Sequence, residues 1–401
     1  MMTVKSGISI GPIMTFQEWY HRAMRVALEE PMHGSGRGGV STYVRNLIRE
    51  LPRLAPDWEF FVFAYFFRDY AEKLARLPDP EGYRFSRLVP RWPESVVDRL
   101  EWNWGVPLIR SCMRRHRIDL LHAHRIPRKP PKPCVATIHD LFPVVHPEWT
   151  SDFLIDQYER ILRPGMARVD RVIAVSEHTK KDLIERWRVP EEKIVVTHEG
   201  VDRDLFRPLP EAEKTALRKR LGLPERFVLM VGPFDPWCHP GNVPRALARL
   251  PLALKDVGVV FAGKGGATRP EVERLTAEEG LSARAVWTGF VPQTELVGLY
   301  NLAEALVYPS FYEGFGLPVL EAMACGTPVV TANTSSLPEV AGGAALLVDP
   351  TRVDAIADAL RRVLDDPSER ALRVERGFAR AKELSWAETA RKTLAVYQSL
   401  G

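Results

Sequence analysis

Short apolar runs alternate with helical patterns along nearly the whole chain, and that rhythm leaves few folds open. Met24–Leu28, Glu59–Phe67, Asp119–His122, Cys134–Ile138, Arg171–Val175 and Glu192–Thr197 each read as a strand. A second series starts at Phe227–Gly232 and continues at Val257–Gly263, Ala285–Thr288, Ala305–Ser310, Val329-Val330 and Ala344–Val348. Between strands, apolar residues recur at helical spacing, as in Tyr43, Val44, Leu47, Ile48 and Leu51. Three helical stretches close the chain, Val353–Leu364, Glu369–Leu384 and Trp386–Leu400. Strands alternating with helices build parallel sheets covered on both faces. With 401 residues there is room for two such sheets, each with its own core. The charged, helical stretch from Pro208 to Pro224 reads as the linker between them. The expectation is an α/β chain with two parallel-sheet domains facing a cleft.

Composition narrows the function classes. A net charge of +4 and a pI near 8.8 permit anionic ligands or an anionic membrane surface, and give no case for nucleic acid. Cys112, Cys134, Cys238 and Cys325 are scattered without a CxxC pair, which fits a reduced, cytoplasmic protein. No apolar run approaches the roughly 18–20 residues of a membrane span. Trp19, Tyr20, His21 and Arg22 interrupt any secretory apolar core. Residues 1–23 read as an extension, or a misplaced start, that the fold does not require.

The densest chemistry lies in Ala305–Thr331, ALVYPSFYEGFGLPVLEAMACGTPVVT. An apolar run ends at Pro309-Ser310, a loop follows at Glu313–Gly316, and a helical pattern runs through Leu320, Ala322, Met323 and Ala324 until Gly326-Thr327-Pro328 stops it. A strand end, a glycine loop and a helix start present free backbone N–H groups and partial positive charge, which suits a phosphate or sugar diphosphate. Glu313 and Glu321 bracket this device. Ionised carboxylates accept paired hydrogen bonds from the vicinal hydroxyls of a ribose or hexose, so acids beside an anion site point to a sugar nucleotide. The competing reading is an ordinary αβ unit with two solvated glutamates.

Other stretches carry weaker signals. Gly34, Gly36 and Gly39 have GxGxxG spacing. The loop is long for a tight dinucleotide turn and no acidic strand end follows, so it reads as a glycine loop facing a ligand, or as a plain surface loop. Cys134–Ile138 ends in His139-Asp140. A histidine at the C-terminal end of a parallel strand sits where open sheets place ligands, able to bond a sugar hydroxyl or stabilise charge; capping the next turn is the alternative. His122 and His124 are assigned to structure only. Trp92, Trp102 and Trp104 interleave with Arg99, Arg110, Arg114, Arg115 and Arg117. That mixture fits a membrane or acceptor face, or amphipathic helices with tryptophans packed inward. Asp202-Arg203-Asp204 spells DxD at an expected domain junction, and no metal is assigned there. Ser336–Glu339 matches a capping box, which assigns Glu339 to helix initiation.

Pro309–Met323 resembles the EX7E signature of retaining glycosyltransferases with the GT-B fold. It is most similar to glycosyltransferase family 4, in its mannosyltransferase-like bacterial branch. Gly38–Ser41, Thr137–Asp140, Ala174–Ser176, Glu199–Asp202 and Ser335–Gly342 agree, so the likeness spans roughly residues 24 to 400. The resemblance implies two Rossmann-like domains, 24–207 on the acceptor side and 208–384 on the nucleotide-sugar side. It also implies that the last helix, 385–401, returns to the first domain. By the same resemblance Glu321 holds the ribose diol, while Glu313, Gly314, Phe315, Gly316 and Leu317 meet the donor. Gly38 and Gly39 approach the diphosphate from the opposite domain, and His139 lies near the sugar. The implied donor is a GDP- or UDP-hexose, mannose-type as first guess, and the implied acceptor a saccharide or lipid-linked saccharide. No metal, organic cofactor or nucleic acid is implied; the place is the cytoplasm, with peripheral contact at the inner membrane face admitted.

Retention without an obvious nucleophile implies front-face attack, with the leaving phosphate taking the acceptor proton as an oxocarbenium-like sugar forms. Glu313 as a covalent nucleophile is the alternative. One departure matters. After Gly232 the family places an Arg and a Lys that clamp the diphosphate, and Pro233–Asn242 contains neither. One preorganised donor is worth about 3–4 kcal/mol, so Lys264, in the loop Gly263–Gly266, is expected to substitute, with His239 a weaker candidate. The departure also admits a binding or scaffold protein of the same fold that has lost catalysis. An epimerase or phosphorylase of that fold is a further rival.

Overall fold

The computed structural model describes residues 23–30, 38–77 and 83–400. Residues 1–22 of the expected 1–23 extension and the front of the glycine loop, with Gly34 and Gly36, lie outside the described residues. The first sheet comprises β1 (Arg25–Glu29), β2 (Glu59–Phe63), β3 (Phe85–Leu88), β4 (Leu120–Ala123), β5 (Cys134–Ile138), β6 (Arg171–Ala174) and β7 (Ile194–Val196). Their order is β3-β2-β1-β4-β5-β6-β7. The second comprises β8 (Phe227–Val231), β9 (Gly258–Ala262), β10 (Ala285–Gly289), β11 (Ala305–Tyr308), β12 (Val329–Ala332) and β13 (Leu346–Val348), in the order β10-β9-β8-β11-β12-β13. Every pairing is parallel. Helices cover both faces of each, so the central strands are apolar throughout: Val26, Phe60, Val135, Val228 and Val259 are fully buried.

Each sheet reverses direction once, between β1 and β4 and between β8 and β11. Crevices for ligands open outside the carboxyl ends of strands at such points. The glycine loop follows β1, and the Glu313 loop follows β11. Both are therefore presented at a reversal.

The chain ends back on the first sheet. In the helix Trp386–Gln398, Trp386, Ala390, Leu394, Val396 and Tyr397 join the core cluster of Tyr43, Val44, Leu47 and Ile48. The Val201 N–H donates to the Leu384 carbonyl (3.1 Å), and the Thr389 hydroxyl donates to the His198 carbonyl (2.7 Å). The return helix thus leaves the second sheet beside the point where the chain first entered it.

Candidate active site

The loop 309–316 is shaped by its neighbours rather than by its own pattern. The Ser336 hydroxyl bonds the carbonyls of Glu313 (2.9 Å) and Phe315 (2.8 Å), and the Glu313 N–H donates to the Ser335 hydroxyl (3.1 Å). Gly316, at φ 106°, turns the chain into the helix Leu317–Ala324, a conformation that disfavours any side chain. Gly314 is needed for another reason: a Cβ there would lie 2.0 Å from the His139 carbonyl oxygen of the first lobe. The Gly314 carbonyl accepts from the Ser176 hydroxyl at 2.7 Å. Ser176 also caps the helix Glu177–Trp187 by accepting from the Thr179 N–H (3.0 Å), as its position predicts. The Tyr312 hydroxyl donates to Asp182 (2.6 Å) on that same helix. The glycine loop of the second lobe therefore docks directly on the first.

This docking leaves a cleft of about 370 Å³. Gly39 and His139 line it from one side, and Glu313, Gly314, Phe315, Gly316, Leu317 and Glu321 from the other. Each acid is held by a buried tyrosine. The Tyr308 hydroxyl donates to Glu313 and the Tyr300 hydroxyl to Glu321, both at 2.8 Å. Burial pushes both carboxyls up to about 7, against the opposing pull of those hydroxyls; nearby Asp140 raises Glu313 further. His139, which lines the cleft, meets Glu199 through Nδ1 at 2.9 Å, and its Nε2 is buried without a protein partner. Glu199 is 4% exposed, so it fixes Nδ1 as the protonated nitrogen.

Two expected donor contacts lie elsewhere. Gly38 opens on an adjoining cavity rather than on this cleft. Lys264 is exposed at the end of β9 and does not line the cleft. The stretch that replaces the Arg/Lys pair is used for packing: the Trp237 ring sits 4.4 Å from Phe142 of the first lobe, and its carbonyl accepts from the Phe311 N–H (2.7 Å). The nearby His239 imidazole is held below its ordinary range by burial.

Several sequence readings are decided by their contacts. Glu339 is not a capping-box residue: its carboxylate accepts from the Glu177 N–H (2.9 and 3.0 Å) and meets His198, tying the lobes together. Ser336 makes no side-chain cap because its hydroxyl is spent on the Glu313 loop. Burial drives His122 down to about 3 and His124 well below its usual range, so both are neutral core groups. Trp102 is buried, its indole donating to the Ile126 carbonyl (2.9 Å), while Trp104 is exposed. Asp202 pairs with Arg49 and accepts from the Asp204 and Leu205 N–H groups. Among the described residues no His, Cys, Asp and Glu cluster could hold a metal, and no helix is long and apolar enough to cross a membrane.

Sequence reasoning passed over one feature. Thr42, Arg45, Asn46 and Arg49 line a second cavity of about 390 Å³ that shares Leu317 and Glu321 with the cleft. Their i, i+3, i+4, i+7 spacing, opposite the apolar stripe of the same helix, was the available signal.

Known proteins agree with this architecture. The model for glycosyltransferase family 4 matches residues 37–205, and that for glycosyl transferases group 1 matches 213–380. The O-antigen chain mannosyltransferase B of Escherichia coli is 32% identical over 278 residues, covering 69% of this chain and 72% of its own length. The MMP alpha-(1->4)-mannosyltransferase of Mycolicibacterium hassiacum is 30% identical over 417 residues, covering 94% and 98%. Sucrose-phosphate synthase from Thermosynechococcus elongatus shares the fold, with a TM-score of 0.74 at 24% identity over 94% of this chain and 99% of that one. The chain belongs to the glycosyltransferases of family 4 type and has their GT-B fold.

Proposed function

We propose that the chain is a retaining, metal-independent hexosyltransferase that moves a mannose-type hexose from a nucleotide diphosphate sugar to a saccharide or lipid-linked saccharide. The observation that carries this reading is the pair Glu313 and Glu321, each held by a tyrosine on one cleft that also receives His139. In this reading Glu321 accepts the ribose diol, and Glu313 with the Gly314, Phe315 and Gly316 amides meets the hexose. The start of the helix Leu317–Ala324 and the Gly39 backbone take the diphosphate. Arg45 adds positive charge on the side of Glu321. The C1–O bond to the diphosphate breaks as the C1–O bond to the acceptor forms on the same face. The acceptor proton passes to a diphosphate oxygen. The protein's share is positioning and fixed dipoles. His139, oriented by its Nδ1 contact with Glu199, meets a sugar hydroxyl at Nε2. The mannose assignment follows the names of the two relatives.

The test is transfer by the purified chain in EDTA, with GDP-mannose and UDP-glucose offered in turn with saccharide acceptors and the product anomer read by proton NMR. An α-linked product is expected. A β-linked product or a requirement for divalent metal would overturn the reading. Donor binding without turnover would favour the scaffold alternative.

A further inference from the structure

The donor cleft is short of positive charge. Asp140, Glu199, Glu313 and Glu321 line it, and among the described residues no Lys or Arg does. A nucleoside diphosphate is a polyanion, and negative charge builds on its leaving oxygen as the sugar departs. Acids around such a group repel it unless fixed positive charge stands close by. The starts of the helices Gly39–Leu54 and Leu317–Ala324 face the cleft and bring about half a positive charge each. That is less than the anion carries, and the stretch where the family keeps its Arg/Lys pair is spent on packing.

The cavity beside the cleft shares Thr42, Leu317 and Glu321 with it and brings two arginines, Arg45 and Arg49. Arg49 is committed: it pairs with Asp202 and with Glu50 (2.9 Å). Arg45 stands in the second turn of the helix Gly39–Leu54. Side chains on a helix lean back toward its N-terminus, so a long one at 45 covers the surface beside Ser41 and Thr42. Its charge is felt there. The buried Glu30 carboxyl, which accepts from the Ser41 hydroxyl (2.7 Å), is pushed up to about 7 by burial, with that hydroxyl and the Arg45 charge pulling it down. Glu30 is therefore about half ionised near neutrality and cancels only part of the guanidinium charge.

We propose that Arg45 stands in for the missing pair: its guanidinium reaches the diphosphate at the start of this helix, beside Thr42, and holds the leaving oxygen. As the C1–O bond breaks, its electron pair stays on the diphosphate. Arg45 donates N–H bonds to that oxygen and keeps its own proton, while the acceptor proton goes to a diphosphate oxygen. This role rests on the transferase reading above, to which it adds the cation.

Comparing nucleotide with nucleoside separates a phosphate contact from a folding defect. The full chain and its variants Arg45→Gln and Arg45→Lys are titrated calorimetrically with GDP and UDP, and with guanosine and uridine by saturation-transfer NMR. Transfer from GDP-mannose and UDP-glucose and the thermal melting of each variant are followed in parallel. Arg45→Gln should weaken diphosphate binding about tenfold or more and lower transfer at least as much, while the nucleosides change less than about twofold. Arg45→Lys, which keeps the charge and loses the planar fork, should fall between Arg45→Gln and the parent. Diphosphate affinity within about threefold of the parent's in Arg45→Gln would overturn the proposal. So would a loss shared by the nucleosides or accompanied by melting at the assay temperature, or a lysine variant as weak as the glutamine one. Selective diphosphate loss in Arg45→Gln, when the parent transfers sugar from neither donor, would sink the transferase reading and leave Arg45 as a diphosphate ligand. Transfer that survives Arg45→Gln would sink the assignment alone.

Discussion

Replacing Tyr300 with Phe isolates the role of Glu321 without disturbing its surroundings. The ring is fully buried and packs edge-on to Phe206 at 6.1 Å, and Phe preserves both. Only the 2.8 Å bond to the Glu321 carboxylate is lost. A hydrogen bond to a charged group is worth about 1.5–3 kcal/mol, or about 1–2 pKa units at 1.36 kcal/mol each. Glu321 should then move from about 7 to roughly 8–9. The carboxylate forms as pH rises through its pKa, and in the proposed function it is the carboxylate that accepts the ribose diol. At pH 7 the ionised fraction falls from about half to about 1–10%, so nucleotide affinity should drop roughly 5- to 50-fold. At pH 9 most of that loss should be recovered. The assay is isothermal titration with GDP and UDP between pH 6 and 9, taken as the variant-to-parent ratio so that the nucleotide's own titration cancels. A ratio that stays below twofold, or that does not change with pH, would refute the role given to Glu321.

Four further outcomes are expected. Gly314→Ala places a methyl against the His139 carbonyl, so the lobes should fold but fail to meet; turnover should fall about 100-fold, with a larger radius of gyration by small-angle scattering. His139→Ala should lower kcat about 10²- to 10³-fold with little change in nucleotide affinity, read by steady-state kinetics and titration. Glu313→Gln should stabilise the fold: its carboxyl is raised to about 7 against 4.5, so the parent loses stability as pH climbs from about 4.5 to 7 and does not regain it above. Since the side chain is partly open to the cleft, about 1–2 kcal/mol is expected at pH 8 by chemical denaturation, and none at pH 4. Lys264→Ala should change donor turnover less than about threefold, because the residue stands outside the cleft; a tenfold loss would restore it as the missing diphosphate cation.

Strands were legible wherever burial on both faces left an unbroken apolar run, as at Cys134–Ile138 and Phe227–Val231. β3 was not, because Phe85-Ser86-Arg87-Leu88 is an edge strand with one face exposed and too short to show a period. Glu313 announced itself by standing at a strand end beside glycines, Glu321 by lying in the helix that follows and His139 by following β5, and the fold gathers all three on one cleft. What the sequence withheld were long-range partners. Tyr300 and Tyr308 are examples, since nothing local distinguishes a tyrosine that holds a carboxylate. Glu339 fits a local capping pattern perfectly well, yet lies within reach of Glu177 and His198, which are over 140 residues away in sequence. Lys264 was proposed on chemistry alone, and it stands exposed, outside the lining of the cleft.

The return helix carries a consequence for biosynthesis. Trp386 and Tyr397 complete the apolar interior around Tyr43 and Leu47, yet the ribosome adds them more than 300 residues later. The half of the molecule made first therefore waits, with part of its interior wet, until the half made second has been threaded through. A stop codon shortly before Trp386 would damage the beginning of the protein more than its end.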